Sequence, residues 1–78
     1  MTLEERFSHN LKAVRLSRNV SPPDLSRNAG LSTKRVYDIE EGRVKPKLSD
    51  IEKLCNALHI DPSQMLAQTA VITITWKE

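Results

Sequence analysis

Residues 21–42 read SPPDLSRNAGLSTKRVYDIEEG, and the reading of this stretch decides the fold. Ser21 is a good N-cap, and Pro22 suits a first helical position, where no intrahelical N–H bond is lost. Pro23 is tolerable in the same turn, and Asp24 places an acid where the helix dipole favours one. Leu25 and Ala29 are the inward residues, and Gly30 stops the helix at positive φ. Leu31 enters the turn. Ser32 caps a second helix over about 32–41, which buries Val36 and Ile39 and ends at Gly42. Ser26 is small where the two helices must lie close. Thr33, Lys34, Arg35, Tyr37 and Asp38 are left toward solvent, so the second helix carries donors and charge on its outer side. Two short helices about a tight turn need a scaffold under their apolar side and a ligand for their polar side.

The flanking sequence reads as that scaffold. A first helix is predicted over 2–18, capped by Thr2 with Glu4 and Glu5 in its first turn, its apolar stripe formed by Leu3, Phe7, Leu11 and Val14. Arg15 lies beside the stripe, and Val20 packs inward after the helix ends. A fourth helix is predicted over 48–59, with Ser49 as cap and Leu48, Ile51, Leu54, Cys55 and Leu58 on one face. Asp61-Pro62 begins a brief fifth helix to about residue 68 that buries Met65 and Leu66. The tail VITITW changes period: Ile72, Ile74 and Trp76 alternate with Thr73 and Thr75, the pattern of a strand. A single strand in a helical domain needs a partner, and pairing with the same strand of a second copy is the economical arrangement; the alternative is an extended tail packed on its own domain. The expected architecture is all-α, a five-helix domain over 1–70 followed by a short β-strand over 71–78, a candidate dimerisation segment.

Composition narrows the function classes. At 78 residues the chain makes one small domain, of net charge +2. The single cysteine, Cys55, permits no intramolecular disulfide and reads as a small core residue. No apolar run approaches the roughly 20 residues of a membrane span. Lys34, Arg35, Arg43, Lys45 and Lys47 crowd the second helix and the loop after it, against Asp38, Glu40 and Glu41, which reads as a phosphate-facing patch or a mixed-charge surface. His9, His59 and Cys55 have no neighbour at zinc-site spacing, and two glycines make no phosphate loop. Nothing points to a catalytic cluster, so no enzyme, cofactor or metal is expected.

A donor-rich helix presented by a tight turn on a helical scaffold reads as a helix-turn-helix of the DNA-binding kind. Residues 7–58 also resemble the lambda-repressor-like helix-turn-helix family, which includes Cro and many bacterial and phage repressors. FSHNLKAVRLSRNVS is similar to its first helix. SPPDLSRNAGLSTKRVYDIEEGRVKP is similar to the motif itself, down to the Ile-Glu-x-Gly helix end and the proline in the following loop. LSDIEKLCNALHID is similar to its fourth helix. The resemblance implies that Arg15 and Glu40 form a structural ion pair. It implies that the helix at 32–41 reads DNA, with Ser32, Thr33, Lys34 and Asp38 toward base edges. Arg35 and Arg43 then lie near phosphates, as does Ser21 at the preceding helix start. Tyr37 and Lys45 complete the expected contact set. Pro22 departs from the glutamine that many members carry, so that backbone contact is lost. Glu41 is an acid near the expected backbone and repels phosphate unless turned away.

The resulting expectation is a cytoplasmic, nucleoid-associated regulator that binds double-stranded DNA as a homodimer on an inverted repeat, most simply as a repressor. The alternative is an antitoxin-type module that covers a protein partner, such as a toxin or another regulator, and also binds its own operator.

Overall fold

The computed structural model describes residues 1–67 and contains five helices: α1 (Leu3–Ser17), α2 (Pro22–Ala29), α3 (Thr33–Glu40), α4 (Leu48–Leu58) and α5 (Pro62–Met65). The expected strand, with Ile72, Ile74 and Trp76, lies outside the described residues.

The caps explain why the helices begin where they do. Thr2 and Glu5 exchange hydrogen bonds across the α1 start: Glu5 N–H donates to Thr2 Oγ1 at 3.1 Å, and Thr2 N–H to Glu5 Oε1 at 2.7 Å. That bond to the Thr2 backbone N–H holds the Glu5 carboxyl below its ordinary value. Ser21 accepts from Asp24 N–H and Ser32 from Arg35 N–H. Gly30 closes α2 at φ +73°, and the Leu31 N–H returns to the Ser26 carbonyl at 2.9 Å, which makes the turn a helix stop of the left-handed type. Here φ is positive, so a β-carbon would be strained although the space around it is open.

The inward residues form one core. Phe7, Leu11 and Val14 of α1 meet Leu25 of α2, Val36 and Ile39 of α3, Leu54 and Cys55 of α4, and Met65 of α5, each at most 1% exposed. Burial pushes the Cys55 thiol up to about 11, as expected of a packing residue. The α2 helix packs on α3 and α4; α1 packs on α3 and α5. A Phe7→Ala truncation in such a core destabilises by about 3–5 kcal/mol.

Four details differ from the sequence reading. Leu3 and Leu48 are 56% and 85% exposed and do not join the core. Each is the first residue of its helix, where side chains lean toward the N-terminus and so project past the packed face. Ser49 does not cap α4. Lys47 holds the cap position, and Asp50 reaches back to accept its N–H at 2.8 Å. The α5 helix ends at Met65, short of residue 68, and the Asn10 amide donates to the Met65 and Ala67 carbonyls at 2.8 and 3.0 Å.

Candidate nucleic-acid interface

The α2–turn–α3 unit is held by hydrogen bonds as well as by packing. Ser26 Oγ donates to the Pro23 carbonyl at 2.7 Å and lies 3.0 Å from Thr33 Oγ1. Ser26 has one hydroxyl proton, and Pro23 has it. Thr33 is therefore the donor to Ser26, and toward a ligand it offers its methyl and a lone pair. The hydroxyls of Ser21 and Ser32 each accept from a backbone N–H, which leaves their own protons available at two adjacent helix starts.

Behind α3, Arg15 and Glu40 meet in a two-pronged pair. Arg15 Nε lies 2.6 Å from Glu40 Oε2 and its Nη2 3.0 Å from Oε1, while Nη1 donates to the Val20 carbonyl at 2.9 Å. The side chains are 9% and 1% exposed. The Glu40 hydrogen bond raises the Arg15 pKa above its ordinary value, against the opposing effect of burial. This pair ties α1 to the end of α3 and is enclosed on the inward side of that helix.

On the outer side, Ser32, Lys34 and Tyr37 are exposed. Lys34 Nζ lies 2.7 Å from Asp38 Oδ2, and Arg43 Nε lies 2.9 Å from Asp38 Oδ1. The hydrogen bond from Lys34, then that from Arg43, holds the Asp38 carboxyl below its ordinary value. Asp38 is thus engaged by two cations rather than standing open. Arg35 is engaged as well: its Nη2 lies 2.6 Å from Asp50 Oδ2, joining α3 to the start of α4. Burial pushes the Asp50 carboxyl up, but the bonds from Arg35 and the Lys47 N–H outweigh it, and the net shift is downward. In the free chain Arg35 is therefore a strut, not a loose phosphate grip. Lys45 is exposed but borders a depression of about 300 Å³ with Thr2, Glu4, Glu5 and Ser8, beside the α1 start. Glu41 pairs with Lys12 at 3.2 Å, so its charge is offset.

Sequence reading missed Asn10, Arg18 and Asp50. Arg18 donates to the Leu58 carbonyl at the end of α4. Asn10 carried a signal: it lies three residues after Phe7 and next to Leu11, so the apolar stripe passes it, and a polar group there must be satisfied internally. Among the described residues no group of three histidine, cysteine, aspartate or glutamate side chains is placed to hold a metal ion. None of the described helices is long and apolar enough to cross a membrane.

The geometry agrees with comparisons to known proteins. Residues 6–68 match the model of a helix-turn-helix domain family. The immunity repressor protein of Bacillus phage phi105 is 33% identical over 72 residues, which cover 92% of this chain and 47% of that protein. The chain thus spans about half the length of this curated relative. The solved restriction-modification controller protein C.AhdI from Aeromonas hydrophila is 30% identical, with a TM-score of 0.75 over 82% of this chain and 96% of that one. A hypothetical transcription factor, NHTF from Neisseria, is also 30% identical, with a TM-score of 0.78 over 85% of this chain and 76% of that one.

Proposed function

The chain belongs to the helix-turn-helix domain family, and on that premise we propose that it acts as a regulator of the lambda-repressor-like kind, a homodimeric repressor on an inverted-repeat operator. The observation that carries this reading is the outer face of α3. Ser32, Lys34 and Tyr37 are exposed there, beside Arg43 in the loop that follows, and the face is held from behind by the buried Arg15–Glu40 pair.

The N-terminal half of α3 enters a major groove. Lys34 donates to guanine O6 and N7, the Thr33 methyl meets a thymine methyl, and Asp38 accepts from a cytosine N4 amine. The Ser32 hydroxyl faces a base edge, and the Ser21 hydroxyl, Arg43 and Lys45 contact phosphates, so affinity falls with salt. Arg35 joins them only by leaving Asp50. Two-fold symmetry sets the half-sites one helical turn apart, about 34 Å. The alternating segment 71–78 is the proposed dimerisation element, and its deletion shifts the protein toward monomer in sedimentation. The names of the phage immunity repressor and the controller protein support a regulatory role of this kind.

Selection from random duplex DNA at near-physiological salt, followed by sequencing, tests the reading. An enriched inverted repeat is the expected outcome. Salt-sensitive binding with no enriched motif would reject sequence-specific regulation and turn attention to a protein partner, in the manner of an antitoxin.

A further inference from the structure

Asp38 and its two partners form a closed unit on the reading face. Both carboxylate oxygens are taken, one by Lys34 and one by Arg43. The Asp38 backbone carbonyl also accepts the Arg43 N–H at 2.9 Å, so the loop is fastened to the same residue twice. The Asp38 side chain is 14% exposed, whereas Lys34 and Arg43 are 84% and 58% exposed. An anion therefore lies beneath two cations at the surface that would meet DNA.

We propose that Asp38 is a specificity-determining residue that acts as a built-in counter-ion, reserving Lys34 and Arg43 against DNA in general and releasing them only where a base amine takes their place on its carboxylate. The inference rests on the DNA-binding reading above and adds how that site rejects wrong sequences. Exposed ion pairs open readily, so breaking the two contacts is not the main barrier. The barrier is what the carboxylate faces afterwards. A phosphate gives Lys34 or Arg43 a new anion but leaves Asp38 bare against a polyanion. A cytosine N4 or adenine N6 amine in the major groove supplies the missing donor, and a guanine O6 or thymine O4 does not. Asp38 thus works as a repulsive element, which penalises the wrong site more than it rewards the right one. Salt dependence carries a second signature. On random DNA the freed carboxylate takes up a cation from solution, which cancels about one of the counterions released by the DNA.

Glu41 provides the control. It carries the same charge at the same end of α3, but its partner is Lys12, and it touches neither Lys34 nor Arg43.

The test compares the full chain with its Asp38→Asn, Asp38→Glu and Glu41→Gln variants. Each is bound to a random-sequence duplex of about two helical turns and to the duplex preferred in selection, between about 50 and 200 mM salt. Asp38→Asn is expected to bind the random duplex more tightly, to steepen its salt slope by roughly one, and to lower the preferred-to-random ratio by about fivefold or more. Asp38→Glu keeps weak binding to the random duplex, and Glu41→Gln leaves the ratio within about twofold. Thermal melting of each variant shows that the fold is retained. An unchanged ratio in Asp38→Asn, while the unaltered chain still selects a motif, overturns this inference alone. An equal fall in Glu41→Gln overturns it too, since any removed acid would then do. An unaltered chain that prefers no duplex overturns the DNA reading itself.

Discussion

The α3 helix carries one acid on each side, and the two behave differently. Glu40 faces inward and meets Arg15 in a pair that is almost fully enclosed. Asp38 faces outward and meets Lys34 and Arg43, whose charged ends stay in water. The chemistry is the same, carboxylate with amine or guanidinium, but burial sets its use. An enclosed pair cannot exchange partners without stranding a charge, so it holds the helix in place. A solvent-facing pair opens at small cost, so its use is set by what each charge meets afterwards.

The largest expected effect breaks the inner side. Glu40→Ala strands the Arg15 guanidinium and should destabilise the domain by about 3–5 kcal/mol, read as a fall in the denaturant midpoint. Replacing both residues with apolar ones of similar volume, Arg15→Met with Glu40→Leu, should cost less than either single change. If the double variant is no better than the singles, the pair contributes more than compensation for its own burial. The Arg35–Asp50 contact lies between the two extremes, with Asp50 buried and Arg35 partly exposed. Asp50→Ala removes the partner of Arg35 and the acceptor for the Lys47 N–H, and should destabilise by about 1–3 kcal/mol.

Acid titration sharpens the same contrast. The folded-state values of Asp50 and Asp38 both lie below their ordinary value of 3.8. A lowered acid contributes stability that is complete above its unfolded value and is lost as pH falls through its folded value. Stability should therefore decline below about pH 4. Added salt should weaken the part due to Asp38, whose partners Lys34 and Arg43 are open to solvent, and spare more of the part due to Asp50. A decline that salt abolishes entirely would show that Asp50 contributes nothing. The smallest stability effect belongs to Lys34→Ala, within about 0.5 kcal/mol, because only an exposed pair is lost. Its effect should instead be on base preference at one position in selected DNA. Equal weakening on every sequence would reject base reading by Lys34.

Much of the fold was legible because the punctuation of this chain is local. Ser21-Pro22, Gly30 and Ser32 each speak for the few residues around them, and the inward positions of α2 and α3 follow from helical spacing. The cap of α4 was misread because both Ser49 and Asp50 stand near its start, and only three-dimensional geometry selects the Asp50 carboxylate. Leu3 and Leu48 share the period of their apolar faces but sit at helix starts, where periodicity does not report whether core remains beneath them. The partners of Arg35 and Glu41 lie 15 and 29 residues away. No periodicity along a single helix reveals such pairings. Reading Arg35 as a free cation followed from knowing its position on α3 without knowing the position of Asp50.

The Asn10 amide depends on carbonyls of residues 65 and 67, which are 55 and 57 positions further along the chain. Of the five helices, α1 leaves the ribosome before the others, and its inward face then carries a polar group with no internal partner. The helix-turn-helix follows it out and can form its own turn, but the polar group of α1 remains unmatched until residue 67 has cleared the exit. Completion of this domain consequently waits for residue 67. A nascent chain arrested before that point should be open to protease at α1, and one arrested a few residues after it should be resistant.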